Sequence, residues 1–282
     1  MSEVFDAYER ELWDGRADAY ERGFARVTRH TIGPLLDAAG VVAGARVLDV
    51  GTGPGFVAAE AAERGARVAA VDAEPGMARV AARNAPGAAV RVAVLPELPF
   101  PDGAFDAVVG NFVINHVGDP VRALRELRRV LAPSGTLALT CWAMPGTGVL
   151  AMVRDALDAA GVPWPDDVPD PPFLQHGTPP AFRALLEQVG FSADVTELDW
   201  DHVVDPREWW TDGALARVGA NGVVVGRLDD AALARVKTEY DRLAARHATA
   251  DGNIALPAHA LLARATPLSA RVAAEGPVTS DA

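Results

Sequence analysis

The stretch Val47-Leu48-Asp49-Val50-Gly51-Thr52-Gly53-Pro54-Gly55 decides the architecture of this chain. An apolar run ends at an aspartate and a glycine-rich turn follows at once. This is the pattern of a buried strand opening into a loop whose backbone comes close to a ligand. Glycine suits such a loop because it tolerates positive φ and carries no Cβ to hold a ligand away. A dinucleotide fingerprint reads G-x-G-x-x-G. Here Gly51 and Gly53 fit, but position 56 is Phe56 and the third glycine comes early, at Gly55. The close helix packing of a pyrophosphate site is therefore not expected. Asp49 sits badly beside a diphosphate and suits a ligand that carries an ammonium group.

Alternation continues outward from this turn. Strands are expected at Arg46–Val50, Arg67–Val71, Ala89–Val94, Phe105–Gly110 and Thr136–Trp142. Helices are expected at Phe56–Arg64, Pro75–Asn84 and Val121–Leu131. Strands separated by helices of this length pair in parallel through right-handed crossovers. Upstream, Trp13, Tyr20, Phe24 and Val27 form one apolar stripe at helical spacing, and a short helix follows near Pro34–Ala39. Downstream, Gly148–Ala160 and Pro180–Val189 read as helices, and Val162–Pro180, rich in proline and aspartate, as an ordered loop. Ala193–Val204 and Asn253–Ala265 read as strands, with helices at Pro206–Val218 and Asp229–Ala248 between them.

Asp72 ends the second strand, 23 residues after Asp49. An acidic residue at that distance reaches the tip of the neighbouring strand, where it can accept both hydroxyls of a ribose. The competing reading is an N-cap for the next helix. Pro101-Asp102-Gly103 supplies a turn before the buried run Phe105 to Val109. Asn111-Phe112-Val113-Ile114-Asn115-His116-Val117 then lies at the carboxyl end of the fourth strand, the edge where parallel sheets bind ligands.

Together these motifs resemble those of class I S-adenosylmethionine-dependent methyltransferases, in the family's order, over about Gly44 to Cys141. The resemblance implies a Rossmann-like α/β fold with a seven-stranded, mostly parallel sheet in the order 3-2-1-4-5-7-6, the seventh strand antiparallel. It also implies S-adenosyl-L-methionine as cofactor, held around Asp49, Gly51, Thr52, Gly53, Gly55, Asp72, Ala73, Met77, Leu95, Asn111 and Phe112, with Tyr20 contributed by the N-terminal helices. Two positions depart from the family. Val94 stands where an aspartate often meets the adenine amino group, and Ser134 replaces a glycine. His116 is the candidate general base, since an imidazole titrates near neutrality. The competing reading is a residue that only shapes the pocket.

Residues 1–43 are expected to cover the site, 44–204 to form the cofactor-binding core and 205–252 to be an inserted helical lid. Residues 253–266 supply the final strand and 267–282 a loose tail. Trp13, Tyr20, Trp142, Phe173, Trp209 and Trp210 are candidates to line a pocket for a flat or greasy acceptor. The implied activity is methyl transfer to a small organic acceptor, of the kind found in secondary metabolism. The alternative is a cyclisation or decarboxylation that uses the sulfonium as a fixed charge.

Composition narrows the partners. The net charge of −12 argues against a nucleic acid, whose binding needs cations to displace counterions, and against an anionic membrane surface. Cys141 is the one cysteine, so neither an internal disulfide nor a cysteine metal cluster is expected, and no spaced set of metal ligands is evident. The acidic N-terminus is no signal peptide. These features point to a cytoplasmic enzyme with a small-molecule substrate, and a homodimer is compatible with them.

Overall fold

Val47, Leu48 and Val50 are shielded from water in β1 (Arg46–Val50), the strand on which the site is built. The computed structural model describes residues 2–215 and 218–268. Ahead of β1 come α1 (Ser2–Trp13), α2 (Ala17–Arg22), α3 (Phe24–Thr28) and α4 (Ile32–Ala38). After it come α5 (Phe56–Glu63), β2 (Arg67–Asp72), α6 (Pro75–Asn84), β3 (Ala88–Val92), β4 (Phe105–Asn111), α7 (Pro120–Val130) and β5 (Leu131–Trp142). Then follow α8 (Met152–Ala159), α9 (Pro179–Gln188), β6 (Phe191–Val204), α10 (Pro206–Glu208), a π turn at Trp209–Ala214, α11 (Gly219–Gly226), α12 (Asp230–Ala244) and β7 (Ile254–Pro267).

The strands form one seven-stranded sheet in the order β3-β2-β1-β4-β5-β7-β6. β1 through β5 pair in parallel, and β7 runs antiparallel between β5 and β6. This is the expected order, with the expected reversed strand. Successive side chains of a strand face opposite ways, and β1 feeds two cores accordingly. Leu48 and Val50 join Leu124 and Leu127 of α7 and Phe182 of α9 on one face. Val47 joins Leu35 and Leu36 of α4 and Val57 and Ala61 of α5 on the other. Each such side chain, fully buried, contributes roughly 1.5–3 kcal/mol.

A third core lies beyond the end of the sheet. Trp209, Trp210, Val224, Val236 and Tyr240 of the 205–252 segment pack on Val153 and Leu157 of α8 and on Trp142 and Leu256 of the strands. The Tyr240 hydroxyl donates to the Pro206 carbonyl at 2.9 Å and closes the segment on itself. α11 was not anticipated, because Gly219, Gly222 and Gly226 break the sequence pattern; burial of Val224 and Val225 supports the helix instead.

Several boundaries differ from the sequence reading. The N-terminal stripe is cut into separate helices at Gly15, which takes φ +67°, and again at Gly23. β5 starts at Leu131, where a helix end was expected. Leu131 pairs with Phe105, then the register slips before Thr136 pairs with Ala107, so Ala132–Gly135 is a bulge within the strand. The 162–180 loop holds a 3₁₀ turn at Pro172–His176 that buries Phe173. Residues 269–282, most of the expected tail, lie outside the described residues.

Candidate functional site

The carboxyl ends of β1, β2 and β4 open on a cavity of about 440 Å³. That is within the range of small-molecule sites, roughly 300–1,000 Å³. Its floor is the glycine loop, and its roof is α1 and α2.

Gly51, Gly53 and Gly55 all have positive φ, at +65°, +54° and +86°, but they answer to different neighbours. A Cβ on Gly51 would fall within 2.6 Å of the Val113 Cβ. The space expected to be kept for a ligand is filled by a side chain from the turn after β4. A Cβ on Gly55 would come within 2.7 Å of the Ala81 Cα. Gly55 therefore does provide close helix packing, of α5 on α6, which the early third glycine had seemed to deny. Gly53 alone has room above it, the nearest atom being Tyr20 Cε1 at 3.5 Å.

Asp49 lies under this loop, fully buried. Its Oδ2 accepts from Thr52 Oγ1 at 2.6 Å, and its Oδ1 has no hydrogen-bond partner among the described residues. Burial, with Asp72 adding repulsion against the bond from Thr52, pushes its carboxyl up to about 7. Asp72 accepts from the Gly53 amide at 2.8 Å through Oδ2 and from the Glu74 amide at 3.0 Å through Oδ1. Burial raises this carboxyl too, against those two amides. The N-cap of α6 is Glu74, which accepts from the Met77 amide at 2.6 Å, so the capping alternative for Asp72 falls away.

The end of β4 turns sharply. Phe112 takes φ +62°, the one positive value on a non-glycine residue among those described. Such a value on a bulky side chain costs energy that surrounding contacts must hold in place. The Phe112 amide donates to the Thr140 hydroxyl at 3.0 Å, and the ring packs against Trp142 with centroids 4.2 Å apart. The reward is the 3₁₀ turn Val113–His116, which carries His116 to the cavity wall. The Asn111 amide is engaged elsewhere. It accepts from Thr31 and Thr140 at 2.7 and 2.6 Å and donates to the Thr28 carbonyl at 3.1 Å, tying α3 to the sheet.

α1 closes the cavity from above. His116 Nδ1 lies 2.9 Å from Glu9 Oε2. Trp13 donates to the same oxygen at 2.9 Å, and its ring stands edge-on to His116 and to Tyr20. Asp6 accepts from the Gly118 amide at 2.7 Å. Burial raises the Tyr20 hydroxyl against a bond to Thr28.

Of the sequence candidates, Tyr20, Gly51, Gly53, Asp72, Ala73, Met77, Leu95, Asn111, Phe112 and His116 line the cavity. Asp49, Thr52 and Gly55 do not; Asp49 lies beneath the loop, and Thr52 and Gly55 are the parts of it that face away from the cavity. Trp13 and Tyr20 line it, whereas Trp142, Phe173, Trp209 and Trp210 belong to apolar cores. Among the described residues of 205–252, none lines it either. The segment expected to be a lid stands against the N-terminal helices instead, with Trp209 against Phe24 at 5.3 Å, and its Arg227 pairs with Asp167 of the 162–180 loop at 2.8 Å. Its aromatic residues are consumed in the third core and have none left to offer the cavity. Sequence reasoning missed Asp6, Glu9 and Asp14 on the wall. Only the one-turn spacing of Glu9 and Trp13 hinted at them.

Residues 48–139 match a family described as "Methyltransferase domain". A demethylmenaquinone methyltransferase of Beutenbergia cavernae is 30% identical over 198 residues, 70% of this chain and 81% of that one. The enzyme of the same name from Renibacterium salmoninarum is 35% identical over 136 residues, 48% of this chain; there the chain spans about half of its relative, 56%. Among solved structures, the YcgJ protein of Bacillus subtilis superposes with a TM-score of 0.56 at 20% identity, covering 86% of this chain and 99% of that one, a likeness of fold.

Proposed function

Because the chain belongs to the class I S-adenosylmethionine-dependent methyltransferases, we propose that the 440 Å³ cavity binds S-adenosyl-L-methionine beside a small, largely apolar organic acceptor. The observation that carries the reading is the wall on which Asp72, Gly53 and the β4 turn converge beneath Trp13 and Tyr20.

The residues present suit that cofactor. Asp72 has lone pairs to spare beyond its two amide bonds and would accept from the ribose hydroxyls. The backbone of Gly51 and Gly53 would meet the amino-acid end. Asp49, with a buried oxygen that no described residue bonds, would favour the ammonium group through the loop. Met77 and Leu95 would flank the adenine. When bound, the cofactor supplies a methyl group already activated by its sulfonium. The protein then has to align the acceptor and exclude water. Residues 1–43 would do the excluding, and 205–252 would brace them.

The acceptor is read as a flat, hydroxyl-bearing ring. The aromatic wall of Trp13, Tyr20 and Phe112 favours one, and the names of two relatives point to a quinone-type substrate. Asp6, Glu9, Glu11 and Asp14 on the same wall disfavour a polyanion such as nucleic acid. The buried single thiol, Cys141, fits a reducing cytoplasm.

Two measurements test this. Calorimetric titration with S-adenosylhomocysteine should give saturable binding, and no heat at millimolar ligand would sink the cofactor assignment. Reduced demethylmenaquinone and simple hydroquinones, supplied with methyl-labelled cofactor, should yield labelled organic product. Label that stays in the cofactor across that panel would reject the acceptor class.

A further inference from the structure

Glu9 is a buried carboxylate on a helix where Glu3 and Glu11 are exposed. Acidic side chains are seldom buried without partners, and Glu9 has two, both on the cavity wall. Trp13 Nε1 lies 2.9 Å from its Oε2 and His116 Nδ1 lies 2.9 Å from the same atom. The indole is a donor only, and a carboxylate is an acceptor only. The hydrogen of the second bond therefore sits on His116 Nδ1, and a neutral imidazole must keep its lone pair at Nε2. Among the described residues that nitrogen has no hydrogen-bond partner, and the ring lines the cavity. Trp13, edge-on at 5.3 Å and 84°, limits how far the ring can turn.

Docking of α1 does not depend on this bond. Asp6 already accepts from the Gly118 amide, and Phe5 and Leu12 are buried beneath the helix.

We infer that Glu9 is a positioning residue that selects the Nδ1–H form of His116 and presents Nε2 as proton acceptor to a hydroxyl-bearing substrate. This rests on the reading of the cavity as the cofactor and acceptor site. At the step concerned the O–H bond of the acceptor breaks and its electron pair stays on oxygen, which becomes the nucleophile. The proton bonds to Nε2. The imidazolium so formed is paired with the Glu9 carboxylate, a relation that holds an imidazole in one tautomer and steadies its charge. An acceptor with no such proton would leave the pair idle.

The test is the tautomer itself. In the full chain labelled with ¹⁵N-histidine and saturated with S-adenosylhomocysteine, long-range proton–nitrogen spectra identify which ring nitrogen of His116 is protonated, the signal being assigned with His116→Gln. The wild type should favour Nδ1–H by at least about tenfold, the preference one charge-assisted hydrogen bond yields. Glu9→Leu should lose that preference while S-adenosylhomocysteine affinity stays within about threefold, a margin well under one such bond. Trp13→Phe, which keeps the carboxylate, should retain it. An Nε2–H signal in the wild type overturns the role of Glu9 without any variant having to fold, and so does an unchanged spectrum in Glu9→Leu. Failure of the wild type to bind S-adenosylhomocysteine is a separate outcome; it overturns the cofactor reading and the base role with it.

Discussion

Asp49 is held where a charge is costly: fully buried, with one oxygen unpaired among the described residues. Its folded-state value of about 7 stands above the ordinary 3.8, so the native chain holds the proton more tightly than the unfolded one. Native stability should therefore be highest well below pH ~4, where both states are protonated, fall as pH rises to ~7, and level off beyond. Asp49→Asn cannot ionise. In denaturant titrations from pH 4 to 8, the variant should gain on the wild type as pH rises; a constant difference would mean that Asp49 does not titrate in this window. An ammonium beside the loop favours the charged form, so cofactor affinity should weaken below pH ~7 in the wild type and vary less in the variant. Asp72 acts twice, as a hydrogen-bond acceptor for the loop amides and as the candidate ribose ligand. Asp72→Ala should lower S-adenosylhomocysteine affinity by about 2–4 kcal/mol, or ~30- to 1,000-fold. Unchanged calorimetric affinity in a folded variant would remove the ribose assignment.

Between the elements, the work is divided differently from the sequence reading. α1 and α2 supply the cavity wall, while the 205–252 segment stands against them, with Arg22 and Arg26 of the N-terminal helices facing Asp212 and Glu208 at 3.9 and 3.8 Å. These pairs are exposed and contribute little, about 0–1 kcal/mol each; the aromatic contacts do the holding. Hydrogen exchange should slow in residues 5–20 when S-adenosylhomocysteine binds, with little change in 230–244. Equal slowing in both would restore the inserted helices as a lid. Trp209→Ala should cost about 3–5 kcal/mol of stability, because its ring lies 2% exposed between α3 and the third core, yet leave the affinity of the folded protein near wild type. A large loss of affinity at full stability would contradict the bracing role.

Across the whole molecule, Cys141 offers a reporter. It is fully buried in β5, an interior strand between β4 and β7, and burial raises its thiol above the ordinary value. Thiol labelling should then proceed only through global opening, with a rate that tracks unfolding in denaturant; fast labelling in native buffer would reveal a local opening of β5 and β7. The strand order, the reversed β7, the role of the glycine turn as the site's floor and the ends of β2 and β4 as its walls were all legible in the sequence. The strand order and the reversal of β7 follow from the resemblance that the motifs carry; the floor and walls follow from local pattern, an apolar run closed by glycine or aspartate. What the sequence could not show was which atoms meet. Gly51 makes room for Val113, Gly55 for Ala81, and Asn111 serves Thr28 and Thr31. Glu9 reaches His116 across 107 residues of chain. The insertion turned Trp209, Trp210 and Tyr240 to the third core and left the cavity to α1. Composition and periodicity say that a helix buries a face. Only the packing of three cores against one another decides which face, against which partner, and hence which buried carboxylate ends up beside which imidazole.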